Sequence, residues 1–551
     1  MSDRDALLFV PLGGAGEIGC NLYLYGHRGR WLMVDCGIGF GDERVPGIEI
    51  IMADPAFIAE RRTDLAGLVL THGHEDHLGA IAYLWDQLGC PIYATGFTAD
   101  LLRPKLRDEG LESEVDLRIV EPGKPFSVGP FGLEFVSMTH SIPEPNLLAI
   151  RTKAGLVVHT GDWKLDPDPV IDGLADEAAL IRLGKEGVVA LVGDSTNIFT
   201  EGRSGSESAV RDSLFTLIAS YAGRRLAVTC FATNVGRVDS IARAARAAGR
   251  SVALVGRSLW KIDQVGRAHG YFKGLPPFLS DADAARLPPE TVLYICTGSQ
   301  GEARSALAKA ASGDHPNLSL GAGDVVIFSS RIIPGNEKDI FAVQNGLARR
   351  GVEVVTEEDH FVHVSGHPAR EELKQLYALL KPAQIIPMHG EERHLSAHAL
   401  YARELGVPHA LVVRDGDLAR LAPGPAEVID TVPIGRLALD GTRLIRIDSA
   451  VMKSRHRMIW NGTAVVTVVI DAKGRLAADP RVSALGLLDP ETDADILADV
   501  EEAVAEAVGA LPASAKRDDA QLREAARLAV RRAIHDRFDK KPMTDVHLIR
   551  L

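Results

Sequence analysis

Short apolar runs separated by glycine turns fill roughly the first two hundred residues. Leu7 to Leu12 reads LLFVPL, Cys20 to Tyr25 reads CNLYLY and Trp31 to Asp35 reads WLMVD, each with the length and composition of a strand. LAGLVLTH (65–72), GLEFVSMTH (132–140), GLVVHTGD (155–162) and VVALVGDST (188–196) continue the pattern. From about Ser204 the texture changes. Helical runs such as ESAVRDSLFTLIASYA and VDSIARAARAAG alternate with the strands RLAVTCFA, SVALVG, TVLYICTGSQGE and DVVIFSSRIIPGNEK. That alternation predicts a parallel-sheet α/β domain with turns at its strand ends. VEVVTEEDHFVHVSGH (352–367) and PAQIIPMHGEERH (382–394) return to strands that end in histidine-bearing loops, which reads as a first domain resuming after an insertion. The last segment has a hairpin pattern, GTAVVTVVIDAKGRLAADPRV, then two helical runs and a final strand DVHLIRL, a small α+β module.

Composition adjusts this picture only slightly. At 551 residues the chain is too long for one core, and about three domains is the natural expectation. Five cysteines without a C-x-x-C pair argue against a disulfide scaffold or a cysteine zinc site and favour a reducing, cytoplasmic setting. The opening MSDRDALLFV lacks the basic start and apolar run of a signal peptide, and no segment reaches transmembrane length. A net charge of −13 does not advertise nucleic-acid binding, but a basic channel can sit on an acidic body, and Lys and Arg outnumber Asp and Glu across 205–346.

Gly14, Gly16 and Gly19 in LGGAGEIG satisfy the dinucleotide fingerprint G-x-G-x-x-G, and Asp35 follows where a ribose-binding carboxylate would stand. That fingerprint requires a helix after the glycines. CNLYLY alternates as a strand instead, so the expectation is an antiparallel start with no dinucleotide site.

The strongest chemical signal is THGHEDHL (71–78), which closes an apolar strand with three histidines and an aspartate in six positions. Imidazoles two apart, His72 and His74, can converge on one metal ion, and Asp76 with His77 can reach a second. His140, Asp162 and His389 each close a later apolar strand, so all can gather along one rim. His159 lies on a strand and reads as a core residue; the histidines at 27, 269, 315, 398, 409 and 535 read as structural or surface.

Asp35, His72, His74, Asp76, His77, His140 and Asp162, in that order, resemble the metallo-β-lactamase superfamily. The interruption before His389 is similar to the β-CASP nucleic-acid hydrolases, with Asp194, His367 and His389 matching their acidic and histidine motifs. GGAGEIG, TGSQGE, IPGNE, HVSGH and HGEER resemble the ribonuclease J family. The resemblance implies an αββα metallo-β-lactamase sandwich interrupted by a β-CASP α/β domain, plus a small C-terminal α+β domain. The boundaries expected are 1–204 and 347–425 for the two parts of the sandwich, 205–346 for the insertion, 426–455 for a connector and 456–551 for the last domain.

By the same resemblance, one zinc ion falls on His72, His74 and His140 and another on Asp76, His77 and His389, with Asp162 bridging and manganese or magnesium as substitutes. Asp35 braces the histidine loop, and His367, Asp194 and Asp76 are the catalytic residues: His367 near the scissile phosphate, Asp194 positioning it or a metal-ligand histidine, and Asp76 on the metal. Glu17 and Asn21 line the floor. His363, Val364, Ser365, Gly366 and His367 form a phosphate pocket, joined by Thr233, Asn234 and Arg237. Two departures stand out: Gly236 where the family often has histidine, and HSIPEPNLLAI, with Glu144 and Pro145, in place of a shorter acidic-serine loop. The implied function is a zinc-dependent ribonuclease acting 5′-to-3′ on 5′-monophosphate ends of single-stranded RNA. Internal cutting is a second mode and a homodimer or higher oligomer the assembly, with no membrane partner. A β-CASP nuclease acting on DNA and a small-molecule metallohydrolase are the alternatives; no residue here must read a 2′-hydroxyl.

Overall fold

The structure is a computed structural model that describes residues 5–551. It falls into two compact units, one of residues up to Gly39 and Met52–Gly435, the other of Phe40–Ile51 and Arg436–Leu551.

In the first unit, two sheets carry the amino-terminal and resumed segments. The first has eight strands, in the order 427–431, 417–422, 7–13, 22–27, 30–34, 65–69, 92–94 and 117–119. The second has seven: 126–128, 131–137, 146–152, 155–159, 188–194, 384–388 and 409–410. Phe9, Tyr23, Tyr25, Val34 and Val69 of the first meet Phe135, Leu148, Ile150, Val157, Val192 and Ile386 of the second in one buried core. Strand periodicity divides the faces: Leu148 and Ile150 point into this core, whereas Leu147 and Ala149 pack on the helix residues Leu180, Leu183, Leu373 and Leu376. Helices therefore cover the outer face of a sheet-on-sheet sandwich.

The glycine-rich start is antiparallel. Leu7 pairs with His27 and Pro11 with Tyr23, and no helix intervenes. Gly14 is required by close approach. A Cβ there would lie 2.2 Å from the Tyr23 hydroxyl and 2.5 Å from Asn21 Oδ1, and its φ is +85°. Its carbonyl accepts the His389 backbone N–H at 2.6 Å, so the turn is part of the site's wall.

The insertion is a six-stranded parallel sheet, order 279–280, 251–255, 292–296, 226–229, 325–328 and 353–355. Its own core runs through Ala253, Tyr294, Leu307, Val326, Phe328 and Leu347.

In the second unit, Thr463–Ile470 buries every second residue, pairs antiparallel with Leu476–Ser483 and parallel with Met543–Arg550. Helices Ala494–Gly509 and Asp519–Phe538 cover it through Val500, Val504, Leu522, Ala526 and Val530. Within the stretch 426–455 lie the strand Glu427–Thr431, a hairpin of Arg436–Asp440 with Arg443–Arg446, and the start of helix Ala450–Asn461. Val45 and Ile48 cluster with Ala438 and Met452, which is why residues 40–51 group with this unit although they are distant in sequence. Among the described residues no helix is long and apolar enough to cross a membrane.

Candidate metal centre

Five strand ends supply the centre. Strand 65–69 runs into Thr71–His77, 131–137 into His140, 155–159 into Asp162, 188–194 ends on Asp194, and 384–388 runs into His389. His72, His74, His140 and Asp162 present donor atoms within 4.8 Å of one another, and so do Asp76, His77, Asp162 and His389. Asp162 belongs to both groups.

His74 Nδ1 lies 3.1 Å from His72 Nε2 and 3.1 Å from His140 Nε2. Donors on a tetrahedral cation with bonds of about 2.0–2.1 Å stand about 3.3 Å apart, so these three nitrogens fit one ion. Asp162 Oδ2 lies 3.2 Å from His77 Nε2 and 3.4 Å from His389 Nε2, and 3.8–3.9 Å from His140 Nε2 and His72 Nε2. Asp162 Oδ1 is buried without a hydrogen-bond partner. An unsatisfied buried carboxylate oxygen is costly unless a cation or water completes it. The donor set fits two hard or borderline divalent ions.

The opposite ring edge of four of these histidines meets an oxygen. His77 Nδ1 is 2.8 Å from Asp35 Oδ2, and His140 Nδ1 is 2.6 Å from the Gly366 carbonyl. His389 Nδ1 is 2.9 Å from Asn21 Oδ1, and His72 Nδ1 is 3.0 Å from Thr71 Oγ1, whose own proton goes to Asp35 at 2.8 Å. Donation through Nδ1 leaves Nε2 with a lone pair aimed inward, the tautomer a ligand needs. Asp35 also accepts the Thr71 backbone N–H at 2.8 Å, so one buried carboxylate ties down the start of the histidine loop. Thr71, Asn21 and the Gly366 carbonyl complete this outer ring, a part that the sequence does not predict for Thr71 or for Gly366. Glu17 Oε1 accepts the Gly14 N–H at 3.5 Å.

Charge is arranged accordingly. Burial holds His72 and His140 well below the usual imidazole range and brings His74 to about 4, which keeps all three neutral. Burial disfavours charge on Asp162 as well, but His389 and His77 hold its carboxyl ionised. Burial pulls His77 and His389 down, and Asp162, with Asp76 on His77, more than offsets it and raises both. Cations entering the site therefore displace protons from these two rings.

His367 stands beside the centre, its Nδ1 2.8 Å from Asp194 Oδ2 and 3.9 Å from Asp162 Oδ2. Burial works against its charge, yet Asp194 and Asp162 push it up to about 9, so the ring is a cationic donor. The loop before it is shaped by contact: a Cβ on Gly366 would meet the His140 ring at 2.8 Å, and Ser365 Oγ accepts the His367 N–H at 3.1 Å. His363 Nδ1 is buried without a partner, and Val364 is buried.

Arg237 is placed differently from the phosphate contact that the sequence suggested. It is 1 % exposed, and its Nε and Nη2 form a pair with Glu207 at 3.0 and 2.8 Å. Its Nη1 donates to the Ser329 hydroxyl and to the Ser329 and Val362 carbonyls at 2.8–3.0 Å, so its donors are spent inside the protein. Asn234 caps the same helix, accepting the Arg237 N–H at 2.9 Å, and Thr233 precedes it. Glu207 lies where the chain enters the insertion and Val362 where it returns, so Arg237 pins both crossings just ahead of the His363–His367 loop. Arg237→Met is expected to cost about 3–5 kcal/mol in a denaturant titration, because it strands Glu207 as a buried, unpaired charge. A second change, Glu207→Gln, should recover part of that loss.

His159 is a core residue, 0 % exposed, with Nδ1 2.9 Å from the Tyr25 hydroxyl. Glu144 turns away from the centre to accept the Phe97 N–H at 2.9 Å. A Cβ at Gly236 would make only ordinary contact, 3.5 Å from Ile171, so that position has room for a methyl group.

Comparison with known proteins agrees with this architecture. Residues 15–214 match the metallo-β-lactamase superfamily, 223–347 the ribonuclease J β-CASP domain, 351–412 the Zn-dependent metallo-hydrolase RNA specificity domain, and 450–551 the ribonuclease J C-terminal domain. The chain is 44 % identical to ribonuclease J of Sinorhizobium meliloti over 557 aligned positions, covering 100 % of this chain and 98 % of that one. It is 36 % identical to ribonuclease J of Mycolicibacterium smegmatis, covering 98 % and 96 %, and 32 % identical to that of Helicobacter pylori, covering 99 % and 80 %. A solved structure of a protein of unknown function from Enterococcus faecalis shares the fold, with a TM-score of 0.53 at 15 % identity over 75 % of this chain and 99 % of that one. The chain belongs to the ribonuclease J family of metal-dependent nucleases, a metallo-β-lactamase fold with an inserted β-CASP domain.

Proposed function

We propose that this protein is a zinc-dependent ribonuclease that removes nucleotides 5′-to-3′ from 5′-monophosphate RNA and also cuts internally. The observation that carries the reading is the Asp162 carboxylate, shared by two histidine clusters and lying 3.9 Å from His367. His72, His74 and His140 would hold one zinc ion, Asp76, His77 and His389 the other, with Asp162 between them. Bound there, such ions supply activated water and neutralise charge on a phosphodiester. Asp194 orients His367 through Nδ1, which leaves Nε2 to donate to a phosphoryl oxygen or to protonate the leaving 3′-oxygen. The His363–His367 loop, with the Ser365 hydroxyl and a glycine at 366, suits a terminal phosphate one nucleotide from the centre. The resemblance of the last domain to its family supports a homodimer, and the reading as a whole places the protein in the cytoplasm.

Matched RNAs carrying 5′-monophosphate, 5′-triphosphate or 5′-hydroxyl ends, labelled at the 5′ end, test this. The expected result is rapid mononucleotide release from the monophosphate substrate and only internal fragments from the triphosphate. Equal mononucleotide release from all three would remove the terminal-phosphate pocket from the mechanism.

A further inference from the structure

Phe199 lies in the loop that follows Asp194, and the residue is 51 % exposed although Ile198 beside it is fully buried. The loop is rigid. Ile198 N–H donates to the Ser195 carbonyl at 3.1 Å, Thr200 N–H to Asn197 at 2.8 Å, and Arg370 N–H to Thr200 at 3.1 Å. Arg370 Nε donates to the Ile198 carbonyl at 2.9 Å, and Asn197 Nδ2 to the His367 carbonyl at 3.1 Å. A backbone so fixed keeps the ring at the surface, so an apolar group is held in water.

Two side chains of helix Glu392–Glu404 support that ring. The Arg393 guanidinium carbon lies 5.4 Å from its centroid, and the His394 ring lies 5.1 Å away at 55°. His394 in turn packs on Gly390 and next to Ser195, the neighbours of His389 and Asp194. The aromatic surface is thus continuous with the metal centre through single contacts. The residue stays half exposed, and the Arg393 guanidinium, whose Nε also donates to Glu391 Oε2 at 3.1 Å, lies over the ring.

We propose that Phe199, backed by Arg393 and His394, is a stacking platform for one nucleobase of the RNA strand close to the scissile phosphate. A flat open ring paired with a guanidinium takes any base by its π-face, and the guanidinium also draws the adjoining phosphate. A single strand threaded past the centre brings a base to this position whatever its sequence, so the platform adds affinity and register without base preference. The proposal rests on the ribonuclease reading above.

The test compares wild type with F199A and F199W on RNAs that each lack one base at a successive position from the 5′ end. Single-turnover rates are measured across RNA concentration, with thermal melting as the control for folding. F199A is expected to weaken half-saturation on intact RNA by about ten-fold. F199W should hold the wild-type value. On the one substrate whose missing base is the stacked one, wild type and F199A should become equal. A penalty that is the same on every abasic substrate, or no penalty at all with wild type active, overturns the platform alone. A wild type inert on every RNA overturns the ribonuclease reading and the platform together.

Discussion

Replacing Asp162 by asparagine is expected to empty the centre of tightly held metal and to stop RNA cleavage while the fold survives. Asp162 Oδ2 faces five imidazole nitrogens, those of His72, His77, His140, His367 and His389, at 3.2–3.9 Å. It is the one anion common to both donor clusters. An amide has the same shape and no charge, so the neighbouring donors remain in place but lose the counter-charge that lets two cations lie close together. Asp76 and three neutral histidines can still attract one ion weakly. Metal per chain, measured after dialysis against a weak chelator, should fall by at least one equivalent relative to wild type. The loss of several kcal/mol of charge stabilisation corresponds to roughly a thousand-fold in the single-turnover rate. A single cooperative melting transition of the metal-free variant, read beside metal-free wild type, checks that the fold survives the loss of a charge that His77 and His389 face. Wild-type metal content together with a wild-type rate would refute the shared-carboxylate reading.

The candidate donors were legible because each one closes an apolar run. THGHEDH follows a strand, and His140, Asp162 and His389 repeat that placement, so strand periodicity alone brings them to one rim. The antiparallel start was legible for the same reason, since CNLYLY alternates where a dinucleotide site needs a helix. What aims the donors was mostly hidden. The partner of His140 is a backbone carbonyl 226 residues away, and the partner of His389 is an asparagine 368 residues away. A carbonyl has no sequence signature, and a lone Asn21 differs from any other turn residue only once the chain has folded. Arg237 shows the converse error. An arginine in a strand-end turn suggests a phosphate, but Glu207, thirty positions earlier, takes its guanidinium first. Residues 40–51 carry no local sign of where Val45 and Ile48 pack, which is against Ala438 and Met452 far along the chain.

His367→Ala should separate chemistry from metal binding. Its ring is absent from both of the four-residue donor clusters, and its Nδ1 is engaged by Asp194 at 2.8 Å. Removal of the ring leaves His72, His77, His140 and His389 with their own orienting partners and His74 among its fellow donors, so metal content should match wild type. What disappears is a protonated donor held at the edge of the centre by two carboxylates. A positioned acid or a preorganised donor to a developing phosphoryl charge contributes about 10²–10⁴-fold, and that is the expected fall in kcat with KM for RNA nearly unchanged. Asp194→Asn should reproduce a smaller part of the loss, since the ring stays but its charge and tautomer are no longer fixed. The discriminating substrate carries a leaving group that needs no proton, such as an RNA with a 3′-bridging sulfur at the cut. If His367 is the acid, the variant should recover most of its deficit on that substrate. If it only stabilises phosphoryl charge, the deficit should persist there in full. Loss of metal from the His367→Ala protein would instead make the residue a ligand, and neither role would stand.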